Sequence, residues 1–155
     1  MAEEWLIDGY NLLHAWPAGK RSQKKSREAL LSELAGFAAL KGRRMKVVLD
    51  GKGDESELKV HHTEFLHVVY SQKVSADAYL ERELFERRGK AQFTVVTNDR
   101  AIANIARGSG ERVLSTEVFL QILKESRSES SDIEHRNKSR SHGFNRPFDD
   151  KLKDR

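Results

Sequence analysis

The stretch Trp5-Leu6-Ile7-Asp8-Gly9-Tyr10-Asn11 decides how the rest of the chain is read. Three apolar residues run straight into Asp-Gly, which predicts a short buried strand stopped by a turn. The pattern returns where Met45 and Val47-Val48-Leu49 lead into Asp50-Gly51, a second buried run ending on the same dipeptide. Between them, Leu30, Leu34 and Phe37, with Leu31, Ala35 and Ala38 alongside, recur at helical spacing from Ser26 to about Leu40, with Gly42 as the stop. Leu66 to Tyr70 is a third predicted strand. Ser75 is placed to cap a helix from Ala76 to about Arg88 whose buried stripe is Ala76, Leu80 and Leu84. Phe93 to Val96 is a fourth strand, leading through Thr97-Asn98-Asp99 into a helical pattern of Ala101, Ile102, Ile105 and Ala106. Val113-Leu114 is a fifth, and Ser115 opens a last helix through Leu123.

Strands alternating with helices predict an α/β fold, a mostly parallel five-stranded sheet with helices on both faces. Its domain is residues 1–123. From Lys124 to Arg155 polar and charged residues dominate, and this segment reads as a disordered C-terminal tail or one that folds only on a partner. The 155 residues suit one core. No apolar run approaches the roughly 20 residues of a membrane span, and the first ten residues lack a secretory pattern. A cytoplasmic protein with no membrane partner is expected. With no cysteine, thiolate nucleophiles and Cys-based zinc sites are excluded, so any metal must sit on oxygen or imidazole. A net charge of +4 is compatible with a polyanionic partner.

In an open α/β sheet, ligands bind beyond the carboxyl ends of the strands. Asp8, Asp50 and Asp99 all fall at that edge, and Asp77 joins them from the first turn of the helix after the third strand. Each has an ordinary explanation: Asp-Gly turns for Asp8 and Asp50, the helix dipole for Asp77, a cap for Asp99. Those explanations do not predict one shared edge. Four gathered carboxylates repel and raise one another's pKa unless a cation relieves them, and Mg²⁺ or Mn²⁺ is the natural occupant of an oxygen-only site. One or two ions could bind. Glu81, one turn after Asp77, is a fifth acid, a supporting partner or a solvated charge. Lys20, Arg21, Lys24, Lys25 and Arg27 form a basic cluster assigned to the same edge as a phosphate track. Lys73 and Arg100 flank two of the acids, to bind a phosphate or balance charge. Arg43, Arg44 and Lys46 belong at the opposite end in a solvated turn; His14, near Asp8 in the chain, could reach the site, though a role outside it is the better reading.

These residues resemble the NYN domains of the PIN-like nuclease superfamily, most closely their bacterial YacP-like branch, from about Trp5 to Leu123. The resemblance is carried by Leu6-Ile7-Asp8-Gly9-Tyr10-Asn11, Val47-Val48-Leu49-Asp50-Gly51, Ser75-Ala76-Asp77-Ala78-Tyr79-Leu80-Glu81 and Val96-Thr97-Asn98-Asp99, in that order. It implies a PIN-like Rossmannoid three-layer sandwich and a Mg²⁺- or Mn²⁺-dependent endoribonuclease hydrolysing single-stranded RNA. Asp8, Asp50, Asp77 and Asp99 would be its catalytic metal ligands. Asn11 would hold a ligand, water or phosphate, with Asn98 in support. Messenger RNA, engaged at the ribosome, is the implied substrate. Ala78 departs from similar sequences, which often carry a further acid there, a difference that bears on a second ion rather than the first. The alternative is a noncatalytic PIN-like module that binds RNA or the ribosome. A phospho-acceptor receiver domain shares the alternation, but it needs neighbouring acids after the first strand, where Gly9 follows Asp8, and a lysine ending the fifth, where Val113-Leu114 leads to Ser115.

Overall fold

The computed structural model describes residues 3–16, 22–51, 61–90 and 92–127. The predicted apolar runs form strands β1 (Glu3–Asp8), β2 (Arg44–Leu49), β3 (Leu66–Tyr70), β4 (Gln92–Val96) and β5 (Arg112–Leu114). All are parallel, in the order β3-β2-β1-β4-β5. Helices α1 (Gly9–Ala15), α2 (Gln23–Lys41), α3 (Ala76–Glu86), α4 (Arg100–Gly108) and α5 (residues 116–127) complete the described elements. Interior parallel strands are covered on both faces, which is why β1 is buried continuously from Glu4 to Asp8 instead of at alternate positions.

The chain divides into two units, Met1–Gln121 and Ile122–Arg155. The sheet belongs to the first. Of the second, residues 122–127 are described, and they are helical. Residues 124–127 therefore continue a helix where composition predicts the start of the tail; Leu123 and Ser126, three apart, are both buried, so the amphipathic spacing outlasts the change in composition. The rest of that tail lies outside the described residues.

Neighbouring side chains of a strand point to opposite faces, and β1 shows what each face meets. Trp5 packs against Phe37 of α2 and Phe119 of α5, with ring centroids 5.9 and 5.4 Å away. Leu6 faces the other way, into a cluster of Val48, Phe93 and Val95 with Ala76, Leu80 and Leu84 of α3 and Ile102 and Ala106 of α4. Helices on both faces make the expected three layers. No helix among the described residues is long and apolar enough to cross a membrane.

The sequence misplaces one junction. Asp8-Gly9 reads as a turn, yet the chain passes from β1 directly into α1, with Asp8 as its N-cap. Gly9 is needed there for space: a Cβ would lie 2.7 Å from the Val48 carbonyl oxygen and 2.8 Å from Leu49 Cδ2. Gly9→Ala should therefore lower stability by about 1–3 kcal/mol, the usual cost of overpacking. An unchanged urea midpoint would show that β2 yields instead. Asp50-Gly51, by contrast, does not continue into a helix but bends away from β2, with Gly51 at φ +99°. The second helix begins three residues before Ser26 because Ser22 caps it, its Oγ accepting from the Lys25 N–H at 3.2 Å.

The amino end of the sheet also differs from expectation. Arg43 pairs with Glu3, and Lys46, expected in a solvated turn, lies within β2. Its ammonium donates to Glu83 Oε1 at 2.9 Å and to the Tyr79 hydroxyl at 3.3 Å. Strand alternation turns Lys46 towards α3, whose polar residues receive it. Beside this pair, Arg87 closes on Glu4 through two parallel bonds of 2.7 and 2.6 Å.

Candidate functional site

Strand order creates a crevice at the carboxyl edge beside β1. β2 and β3 add on one side of β1 and β4 on the other, so the segments leaving β1 and β4 diverge, which is where open α/β sheets bind ligands. Asp8 ends β1, Asp50 follows β2, Asp77 lies in the first turn of α3 and Asp99 follows β4. The four line one pocket of about 290 Å³, together with Tyr10, Asn11, Ser75 and Ala76.

Local roles persist at these acids, although for Asp8 the role is a helix cap and not the turn that Asp-Gly suggests. Asp8 Oδ1 accepts from the Asn11 N–H at 3.2 Å and Asp99 Oδ1 from the Ile102 N–H at 2.9 Å, capping α1 and α4. Asp50 Oδ1 reaches across to the N–H of Ala76, the first residue of α3, at 2.9 Å. The first N–H groups of a helix have no partner within it, and three of the four carboxylates answer that need at three different helices. Capping thus fixes three of them at the edge, and the helix whose first N–H donates to Asp50 carries the fourth, Asp77.

Gathering them is electrostatically unfavourable. Asp8 is 2% exposed, and burial raises its pKa above the usual carboxylate range against the lowering effect of the Asn11 N–H and the Thr97 hydroxyl. Asp77 is pushed up to about 6, by burial first, then by the charge of Asp99, the charge of Asp8, a hydrogen bond with Asp99 and the charge of Asp50. A carboxyl whose folded pKa exceeds its unfolded value of 3.8 contributes stability that is complete below about pH 4 and lost as pH rises through about 6. In a chelating buffer, the melting temperature of Asp77→Asn relative to wild type should therefore climb between pH 4 and pH 7. Parallel profiles for the two proteins would show that neither burial nor its neighbours raise the Asp77 carboxyl.

Among the described residues no three acidic or histidine side chains form, as placed, a group that would hold a metal ion. The pocket is a ring of carboxylates with its caps made, and no closed coordination shell is present. Its neutral framework is Thr97, which sequence reasoning missed. This side chain is 2% exposed, and its hydroxyl lies 3.3 Å from both Asp8 Oδ2 and Asn11 Oδ1 while accepting from the Asp99 N–H at 3.0 Å. The available signal was a small hydroxyl residue between a buried strand and Asn-Asp.

Asn11 acts first as a tie, its Oδ1 accepting from the Asn98 N–H at 2.6 Å; its Nδ2 has no hydrogen-bond partner among the described residues. Asn98 turns away from the pocket. Its Oδ1 accepts from the Thr116 N–H at 2.9 Å and its Nδ2 donates to Thr116 Oγ1 at 2.6 Å and Glu117 Oε2 at 3.2 Å, fastening the Asp99 loop to the start of α5. Glu81 is exposed and outside the pocket lining, because one helical turn carries it away from the rim. Lys73 and Arg100 are exposed beside Asp77 and Asp99 in the chain, and neither lines the pocket.

Lys24 and Lys25 are exposed and Arg27 half-buried in the first turns of α2. That helix of 19 residues, about 28 Å long, ends just before β2 begins, so its first turns lie towards the carboxyl edge. Lys20 and Arg21 fall outside the described residues. His14 is exposed and does not line the pocket; its ring stacks on Tyr10.

A family model described as the YacP-like NYN domain matches residues 5–155, which extends past Leu123, where the motif resemblance ends. The Bacillus subtilis (strain 168) protein described as uncharacterized protein YacP is 31% identical over 84 residues. That alignment covers 50% of this chain and 48% of the relative, so the chain spans about half the length of the curated protein it matches. The crystal structure of Rae1 (YacP) from Bacillus subtilis superposes with a TM-score of 0.69 at 23% identity, covering 90% of this chain and 84% of that one. A tryptophan-to-leucine mutant of the same protein gives 0.67 at 22%, covering 92% and 86%. At such identities the likeness is one of fold.

Proposed function

Because the chain belongs to the YacP-like NYN domain family, within the PIN-like nuclease superfamily, we propose that its carboxylate pocket is the active site of a divalent-metal-dependent endoribonuclease acting on single-stranded RNA. The observation that supports this reading best is the convergence of Asp8, Asp50, Asp77 and Asp99, from four separate segments, on one pocket, where burial and the neighbouring carboxylates push Asp77 up. A fold spends stability on such a cluster where the charge has a use, and an oxygen-only donor set matches Mg²⁺ or Mn²⁺. Asp8, Asp50, Asp77 and Asp99 would hold the ion with the oxygens that the caps leave over, each carboxylate having room for more than one partner. When bound, the ion supplies charge neutralisation at the phosphodiester and activation of the attacking water.

The chain's own residues do the rest. The three caps and Thr97 hold the acids on stiff helix starts, so little reorganisation is needed when a phosphate arrives. Asn11 Nδ2 is available to a phosphate oxygen or a water. Lys24, Lys25 and Arg27, with Lys20 and Arg21, would counter the negative field of the pocket and guide the strand, while Lys73 and Arg100 would receive phosphates at its flanks. The family resemblance extends the proposal to messenger RNA and engagement at the ribosome.

The experiment is cleavage of an end-labelled single-stranded RNA by the purified protein with Mn²⁺, Mg²⁺ or a chelator. Internal cuts that require the metal are expected, along with a melting temperature that rises with metal concentration. Full RNA affinity with no cleavage under any metal would instead favour the noncatalytic module.

A further inference from the structure

Tyr10 belongs to the motif that opens the chain, yet nothing in the fold accounts for it. It is 58% exposed, although a tyrosine ring loses favourable burial when left in water. Of the exposed large hydrophobic residues among those described, Tyr10, Leu40, Phe85 and Val118, it alone lines the carboxylate pocket. The other two tyrosines are occupied, Tyr70 in the core and Tyr79 beneath Lys46. Tyr10 is backed rather than covered: His14, one turn along α1 on the same face, stacks on it with centroids 6.0 Å apart and planes within 20°. The backing restricts a side chain that has only two torsions to lose, leaving an ordered flat surface at the rim.

The pocket's charge says what such a surface is for. Four aspartates repel a polyanion and no basic residue among those described lines the pocket, so at the rim itself a strand gains from an attachment that adds to the hold of the flanking basic residues on its phosphates. A base offers an uncharged π face, and stacking on an aromatic side chain is sequence-tolerant. We propose that the Tyr10 ring, held by His14, is the platform on which one unpaired base of the RNA stacks beside the carboxylates, and that this contact makes the site select single strands. The proposal rests on the ribonuclease reading for the identity of the strand. A base pair inside a duplex already has both faces stacked, so a long duplex, in which nearly every pair is internal, gains almost nothing from Tyr10.

The test reads binding of a short fluorescein-labelled oligoadenylate by anisotropy, in chelator, to wild type, Tyr10→Phe and Tyr10→Ala. Tyr10→Ala should weaken binding roughly tenfold or more, and Tyr10→Phe should keep wild-type affinity. A strand of abasic spacers and a long blunt duplex should each bind wild type and Tyr10→Ala equally. Tyr10→Trp adds an independent signal, quenching of its fluorescence by the single strand and not by the abasic one. Equal oligoadenylate affinity for wild type and Tyr10→Ala would overturn the proposal. So would the same loss on the abasic strand, or no binding by wild type. Because binding is read without metal, failure to cleave with Mn²⁺ would remove the ribonuclease reading and leave the platform standing. Cleavage without the base-dependent difference would do the reverse.

Discussion

Asp99→Asn should reduce metal-dependent RNA cleavage by at least about a hundredfold while leaving thermal stability nearly unchanged. The asymmetry follows from what each oxygen does. Asp99 Oδ1 caps α4 through the Ile102 N–H, and an asparagine carbonyl accepts that bond as well as a carboxylate does. What the substitution removes is the negative charge and the second acceptor oxygen, the features a cation would use. Relief of the contact with Asp77 should offset any cost to the cap.

Asp8→Asn should be equally inactive and no less stable, since Asp8 is buried and desolvation opposes its charged form. Its cap to Asn11 survives, and the Thr97 hydroxyl, now donor and now acceptor, accommodates an amide. Cleavage by either variant at the wild-type rate would sink the assignment of these carboxylates. Inactivity accompanied by unfolding would assign them to the scaffold.

Arg87→Ala should lower stability by about 2–3 kcal/mol with no effect on RNA affinity in the folded protein. Glu4 sits in β1 at 9% exposure, and Arg87 satisfies both of its oxygens while lying 5.4 Å over the Phe93 ring. Removing one member of a buried pair leaves the other charge desolvated and unpaired, a cost of roughly 3–5 kcal/mol; the Arg87 side chain is 35% exposed, and water screening reduces the figure. The pair lies at the amino end of the strands, away from the carboxylates, so binding should not report it. Urea denaturation of the single variant and of Glu4→Gln/Arg87→Ala separates the causes. Recovery of most of the loss in the double variant is expected. Equal destabilisation of both would mean that Arg87 acts through its packing on Phe93 and not through charge.

The alternation of Trp5-Leu6-Ile7, Val47-Val48-Leu49, Val68-Val69 and Phe93 to Val96 with helical spacing between them was enough to determine an α/β fold, because a buried parallel strand and an amphipathic helix leave different periods in the sequence. The positions of Asp8, Asp50, Asp77 and Asp99 at one edge followed from that alternation, since parallel strands all end on the same side.

Strand order was not legible. That β4 pairs with β1 instead of β3 depends on which apolar faces fit together over the whole core, and this choice opens the crevice between Asp8 and Asp99. Nor did the sequence show that Asp8 begins a helix: Asp-Gly signals a turn locally, and only the closeness of β2 reveals that Gly9 is there for space. The Thr97 bonds, the turning away of Asn98 and the exposure of Tyr10 are likewise long-range outcomes, in which a residue's role is set by partners that no spacing rule brings near. The kinds of chemical groups and the edge they occupy were written in the chain. Their hydrogen bonds, their mutual repulsion and the open ring beside them were decided by tertiary packing.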